Sequence, residues 1–584
     1  MTARTATAIA ALWSTVLAAV ILAPLLPGGY LLLRDAVATP RSYLTDSALG
    51  VGDAAPRAVP QDAAIAAASR FVDGGLLVTG LALAGLIAAG LGAALLARRI
   101  LADVIAGSGL PAMLVAATVA VWNPYVAERL LQGHWSLLVG YGMLPWTVLA
   151  VMAAAQAGST RERVGAIAGV AACLGIAGLT PTGWALATVI ALVTAAAVGR
   201  AGERLRLAAV IVVPAAVTAA PWVIAGLGAQ SSADPSGAAA FAARAEPWLA
   251  TVGSLAGLGG IWNSAAVPGS RSTGWAAVAT ALLVLIVAAG MWRASTRLTG
   301  PHRRAAIALF ALAATVVVVI ALAATGPGIR LVAALGDTVP GAGLLRDGQK
   351  WIALAMPGYA VAAAALVTMA RRTVLVGAAV LVAVIAPLPD LAFGVGGQVR
   401  AVHYPDDWAT VAAAIDGPGA VVVLPEGMFR RFPYSGEAPV LDPAPRMLPN
   451  DVVQTGDLPV GGTTVLGEGA RAREVYDAAA AGQSAELARL GVGWVLIENT
   501  ADPGAAPLPA FDPPLTTVVD TPELTLLRVD DPVIFPRPRT TATFAHLIWA
   551  ALTVGGILVA LGARLLPVGA GRPRPVRPSE PGRS

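Results

Sequence analysis

Along most of the chain the apolar residues come in unbroken runs and not in the spaced pattern of a water-soluble helix. Each run has the length of a bilayer crossing, roughly 17 to 25 residues. They lie near 6–26, 75–97, 103–121, 136–155, 207–228, 274–292, 305–325, 352–370, 373–395 and 543–563. Two shorter runs, 164–179 and 184–199, are separated only by "TPTG" at 180–183 and read as two tilted or broken spans, which brings the expected crossings to twelve. The first run is too long for a signal peptide and lacks a small-residue cleavage site followed by soluble chain, so a retained helix is expected.

One long stretch has a different texture. From about 396 to 540 charge returns and soluble periodicities emerge: "DDWATVAAAID" reads as a helix started by Pro405 and Asp406, and "AVVVLPE" and "GWVLIE" as buried strands. "RAREVYDAAAAGQSAELARLG" reads as one or two helices, and "LTTVVD" and "LTLLRV" as two more strands. The pattern predicts a polytopic α-helical membrane protein of about 12 transmembrane helices with a small α/β domain before the last helix. The expected parts are a membrane domain at 1–395, the α/β domain at 396–542, the last helix at 543–563 and a basic, Pro-rich tail at 564–584. The segment "MFRRFPYSGEAPVLDPAPRMLPNDVVQTGDLPVGG" is long for a plain connection. It reads either as a functional loop or as a structural one packed on the membrane domain. No internal repeat is evident, so an inverted-repeat transporter gains no support.

Composition excludes an ordinary soluble enzyme: 57% of residues are hydrophobic and 12% charged, with mean hydropathy +0.73, against about 25% charged in soluble domains. The single cysteine, Cys173, permits no intrachain disulfide. The net charge of +5 matters through its placement. Arg4, Arg98, Arg99, Arg161, Arg163, Arg200, Arg204, Arg206, Arg293, Arg297, Arg303, Arg304, Arg371, Arg372 and the tail all fall on one side if spans alternate. The positive-inside rule makes that side cytoplasmic, with both termini there and the protein in the plasma membrane. The loops 27–74, 122–135, 180–183, 229–273 and 326–351, and the α/β domain, would then face out.

Familiar catalytic signatures are missing: no GxxxxGK[ST], no GxGxxG between strand and helix, no CxxC, HExxH or GxSxG, and the four histidines are scattered at 134, 302, 403 and 546. Nothing points to nucleic acid. The unexplained polar residues lie on the expected outer face. Asp35 stands about nine residues past the first span, beside Arg34 in an apolar neighbourhood, where a carboxylate of restricted solvation could act as a general base. The alternative is an ordinary pair of solvated loop charges. "NPYVAERLLQGHW" predicts a short interfacial helix capped by Asn123 with Pro124 at its first position. Trp122 and Trp135 would be aromatic-belt anchors, Glu128 and Arg129 a charged pair in the pocket wall, and His134 either a structural or an acceptor-orienting residue. In "LLRDGQKW", Arg346, Asp347 and the chain's only lysine, Lys350, fall on one side of a helix. Two cations there suit a phosphate or pyrophosphate, with snorkelling anchors as the bland alternative.

A first span followed by a long outer loop with an acid ("LLLRDAV"), about a dozen spans and a C-terminal outer α/β domain resembles the GT-C superfamily of integral-membrane glycosyltransferases. "WNPYVAERLLQGHW", "GLTPTGW", "LLRDGQKW" and "YPDDWATV" are similar to a group of bacterial membrane proteins placed near it. The resemblance implies a polyprenyl-phosphate sugar donor, an envelope glycan, lipid or protein acceptor, and an acid of the first outer loop as base. Asp35 best matches that acid, and Arg34, which stands where many members carry a second one, is expected to contact substrate. It implies no certain cofactor, and a divalent metal is left open. The competing expectation is a non-catalytic envelope protein, a lipid or polysaccharide translocator or an assembly factor.

Overall fold

The computed structural model describes residues 1–565 apart from 54–55, 57, 106, 108, 201, 229–236, 340, 461–462, 466, 468–469 and 502–509. Almost all of the expected tail at 564–584 and part of the loop 229–273 thus lie outside the described residues.

Among the described residues, ten helices are long and apolar enough to cross a membrane, and eleven if the bent pair Thr373–Ile385 and Pro389–Gly397 is one span. Twelve were expected. The run at 164–179 forms the helix Thr160–Ala177, but Arg161, Glu162 and Arg163 fill its first turn, the charge that sets it apart from the apolar spans. It still packs along the last helix, Thr540–Leu565. Small residues make the approach close, a Cβ on Gly175 falling 2.1 Å from the Thr553 hydroxyl and one on Gly556 2.9 Å from the Ala168 carbonyl. Such small-residue seams are how membrane helices associate where the hydrophobic effect gives no help.

The arginine-bearing loops gather on one face. Arg99 reaches Gln156, Arg304 the Ala197 carbonyl at 3.0 Å, Arg293 the Met369 carbonyl at 3.1 Å, and His302 pairs with Asp103 at 2.9 Å. The α/β domain sits at the other end of the bundle. Its mixed sheet has the order Thr516–Asp520, Leu524–Arg528, Val492–Glu498, Ala420–Leu424, and the last two strands run parallel. Apolar cores lie on both faces: Val421 and Val423 pack with Trp408 and Trp494, while Val422 and Leu424 pack with Val475 and Tyr476. That two-sided burial is why the strand reads as an unbroken apolar run.

The junction between bundle and domain carries the features that matter most. Tyr30–Leu33 pairs antiparallel with Ala36–Val37 on one side and with Ala401–Val402 on the other, so residues far apart in sequence share one small sheet. Arg34 and Asp35 are the two-residue loop of that hairpin, Leu33 facing Ala36, and Arg34 takes the left-handed conformation (φ 48°) such tight loops demand. The long Pro-rich segment folds into a second hairpin, Phe429–Arg430 with Val440–Leu441, and the Leu441 amide donates to the Arg34 carbonyl at 2.8 Å. It therefore serves, at least in part, as a structural brace on the loop that carries Asp35.

The expected interfacial turn at 122–135 is corrected. Pro124–Gln132 continues the span Leu110–Val121 after a break at Trp122–Asn123, and every one of its residues is buried. Trp122 and Trp135 are both 4% exposed, and the Trp122 indole donates to the Leu388 carbonyl at 3.0 Å. They are packing residues inside the bundle, not belt anchors.

Candidate active site

The hairpin tip meets the C-terminal end of Pro124–Gln132. The Asp35 amide donates to the Gln132 carbonyl at 3.1 Å. Gly133, in the left-handed conformation (φ 88°), ends the helix where a Cβ would fall 2.3 Å from the Ala36 nitrogen and 2.6 Å from the Leu33 carbonyl. Both are backbone atoms, so only glycine allows the approach. Gly133→Ala is therefore expected to push the hairpin away and lower activity by about 10²-fold, the effect of a roughly 1 Å misplacement. Turnover and expression level of the variant, measured together, check this, and full activity would contradict it.

The Asp35 side chain accepts from Gln132 Nε2 at 3.0 Å, and its Oδ2 lies 3.0 Å from His134 Nε2. The other ring nitrogen, Nδ1, lies 3.0 Å from Arg129 Nη1. A guanidinium only donates, so Nδ1 must accept and the ring proton sits on Nε2, donating to Asp35. Arg129 thereby fixes the tautomer. Burial, first, and then the Lys350 and Arg129 charges lower the His134 pKa against the Asp35 interaction, so the ring stays neutral. Burial works to raise the Asp35 carboxyl, but the His134 hydrogen bond, the Gln132 hydrogen bond and the Lys350 charge outweigh it and hold it below its ordinary value. The result is a carboxylate ionised at neutral pH. Its two hydrogen bonds converge on Oδ2, and its side chain is 31% exposed.

Beneath this surface lies a buried ion network. Arg129, 0% exposed, forks onto Asp347 with 2.8 and 3.0 Å bonds and also reaches Gln349. Gln349 donates to Glu128 at 3.0 Å, and Glu128 also accepts from the Gly260 and Ile261 amides, each at 3.1 Å. Lys350 Nζ stands 3.6 Å from Asp347, and 25% of its side chain is exposed. Burial works against the Asp347 charge, but Arg129 and Lys350 hold its carboxyl well below the usual range.

The structure thus brings Asp35, His134, Arg129, Asp347 and Lys350 into one chain of contacts. Arg346 adjoins it, its guanidinium 4.5 Å from the Phe241 ring centre. Three residues expected at the pocket surface lie elsewhere. Glu128 and Arg129 are fully buried and form the support under the site, not its wall. Arg34 is turned away: it donates to the Leu131 carbonyl at 2.6 Å and to the Ala265 carbonyl, capping the helix end behind the hairpin. Gln132, Gln349 and Asn263, which donates to Gln132 Oε1 at 2.7 Å, were not foreseen. The first two sit inside phrases already singled out, "LLQGHW" and "DGQKW", whereas nothing in "IWNS" marks Asn263.

No group of three or more His, Cys, Asp or Glu side chains able to hold a metal occurs among the described residues. The donor set around Asp35 is also a poor fit to a divalent ion, because its partners are an N–H-donating histidine, an amide and a lysine cation, and Asp347 is committed to Arg129.

No protein-family model and no curated protein sequence matches the chain. Solved structures do. A cryo-EM structure of the arabinofuranosyltransferase AftD from mycobacteria aligns with a TM-score of 0.57 at 18% identity, covering 91% of this chain and 40% of that one. Two structures of a mutant of the same protein give TM-scores of 0.55 and 0.51 at 17% and 16% identity, covering 91% and 89% of this chain and 42% of those chains. This chain spans about two fifths of the length of those proteins. Apolar spans and this superposition lead to one conclusion: the chain is a membrane protein that shares its fold with the mycobacterial arabinofuranosyltransferase AftD.

Proposed function

We propose that this protein is a membrane glycosyltransferase that moves a sugar from a polyprenyl-phosphate donor to an envelope glycan, lipid or protein on the outer side of the plasma membrane. The observation that carries the reading is the pairing of an ionised, partly exposed Asp35 with a partly exposed Lys350 on one buried ion network, at the face opposite the arginine-rich loops. By the positive-inside rule the arginine-rich face is cytoplasmic.

In this mechanism the acceptor hydroxyl gives its proton to the free side of Asp35 while its oxygen attacks the anomeric carbon. The bond from that carbon to the phosphate oxygen breaks, and the electron pair leaves with polyprenyl phosphate. Lys350, with Arg346 beside it, binds the phosphate and offsets the charge growing on it. Gln132 and His134 hold the carboxylate in place, and the buried Arg129–Asp347 pair holds His134 and Lys350.

The test is genetic. In a strain lacking the gene, the wild-type copy is expected to restore an envelope glycan product and a Lys350→Ala copy to restore little of it at equal protein level. Equal restoration by both would contradict the assignment. The neighbour's name makes pentofuranose donors the first class to try.

The acid limb of the pH profile is a further check. Asp35 acts as base only when ionised, and its depressed pKa keeps it so below the ordinary value of about 3.9. His134→Ala removes a hydrogen bond that lowers that pKa, so the acid limb is expected to move to higher pH. His134→Gln, which can still donate, is expected to move it less. Unchanged limbs in both would contradict the role given to His134.

A further inference from the structure

Apart from the Asp35 network, a cavity of about 250 Å³ opens between the first long loop, the α/β domain and the strap before the last helix. Its walls are the loop around Asp46 and Asp53, the α/β domain at Pro418–Ala420, Pro449–Gln454, Arg471 and Gly491, and the strap Val533–Arg539 that leads into the last helix. None of the residues of the Asp35 network lines it.

Its chemistry is polar but electrically balanced. Arg471, Arg537 and Arg539 face Asp46, Asp53 and Asp451, three charges of each sign. The cations are already committed: Arg537 donates to the Val51 carbonyl at 2.8 Å and to Asp53, Arg471 to the Leu490 carbonyl at 3.0 Å and to Asp53, and Arg539 to Asp46. An anion could claim these guanidinium groups only by leaving the carboxylates unpaired, which costs more than a simple surface contact returns. The Asn450 amide nitrogen donates to the Gly417 and Gly419 carbonyls at 2.9 and 2.8 Å. Phe535 has the Arg471 guanidinium 5.3 Å from its ring centre and is still 50% exposed. A half-exposed aromatic ring beside a polar wall whose charges are already paired suits a neutral polyol: C–H faces on the ring, hydroxyls on the polar wall. The volume is below the roughly 300–1,000 Å³ of drug-sized sites, enough for a chain end and too small for a lipid.

We propose that this cleft binds the non-reacting part of a neutral glycan acceptor, separate from the Asp35 centre. The proposal rests on the glycosyltransferase reading for the word acceptor, but not for binding itself. The experiment uses the full-length Asp35→Asn protein in nanodiscs, with saturation-transfer NMR on neutral pentose and hexose oligosaccharides and pyrophosphate as competitor. Binding of an oligosaccharide is expected, weakened at least tenfold by Gln454→Ala and by Phe535→Ala in folded protein, with no displacement by equimolar pyrophosphate. No oligosaccharide binding, equal binding in both variants, or displacement by pyrophosphate would overturn it. Because binding is read on a protein with transfer disabled, oligosaccharide binding together with an inactive wild type would refute the glycosyltransferase reading and leave the cleft assignment standing.

Discussion

Replacing Asp35 by Asn is expected to lower transfer by about 10²–10⁴-fold, the usual contribution of a positioned general base, while the protein inserts and melts as the wild type does. The separation is possible because the asparagine oxygen can still accept from Gln132 and His134, so the contacts at the hairpin tip persist. The backbone contact from the Asp35 amide to the Gln132 carbonyl is untouched. What is lost is the ability to take a proton. Turnover per folded molecule, with the melting temperature measured on the same sample, checks this. Turnover within a few-fold of wild type would remove Asp35 from the chemistry.

The second large effect falls on stability. Arg129→Met removes the cation from a network in which Arg129 is 0% and the Asp347 side chain 9% exposed. Asp347 would be left a buried carboxylate facing Lys350, and Glu128 one held by neutral donors and the charge of Arg271. Breaking a buried pair from one side costs about 3–5 kcal/mol, enough to prevent stable folding or to lower the melting point sharply. Lys350→Ala, by contrast, removes a partly exposed group 3.6 Å from Asp347 and is expected to cost activity far more than stability. Thermal unfolding in a common detergent separates the two. Equal loss of stability in both variants would mean that Lys350 is part of the scaffold and not of the site.

These two residues also show where sequence reasoning reached and where it stopped. The spans are legible because lipid requires continuous apolar runs, and the α/β domain is legible because its strands and helices return to soluble periodicities. Asp35, His134, Asp347 and Lys350 stand out because ionisable groups near membrane level need a reason. Burial could not be read the same way. The polar side of Pro124–Gln132 looks in sequence like the solvent-facing side of an interfacial helix, yet it turns inward onto Asp347, Gln349 and the amides of Gly260 and Ile261. Those partners lie more than a hundred residues away, and local periodicity carries no information about them. Trp122 and Trp135 mislead for the same reason. The hairpin that presents Asp35 was also hidden, since "LLLRDAV" reads as an apolar stretch with two charges until Ala401–Val402 and Val440–Leu441 are placed beside it. Arg34, expected to contact substrate beside Asp35, becomes a backbone clamp once Leu131 and Ala265 are known to lie within its reach.

The most direct measurement is transfer itself. Purified wild-type protein in nanodiscs, given a labelled polyprenyl-phosphate pentose and an envelope glycan acceptor, should release polyprenyl phosphate in step with label appearing in the acceptor, and the Asp35→Asn protein should do neither. Release without transfer, transfer at equal rates in both proteins, or no transfer from any polyprenyl-phosphate sugar by well-folded wild-type protein would contradict the account.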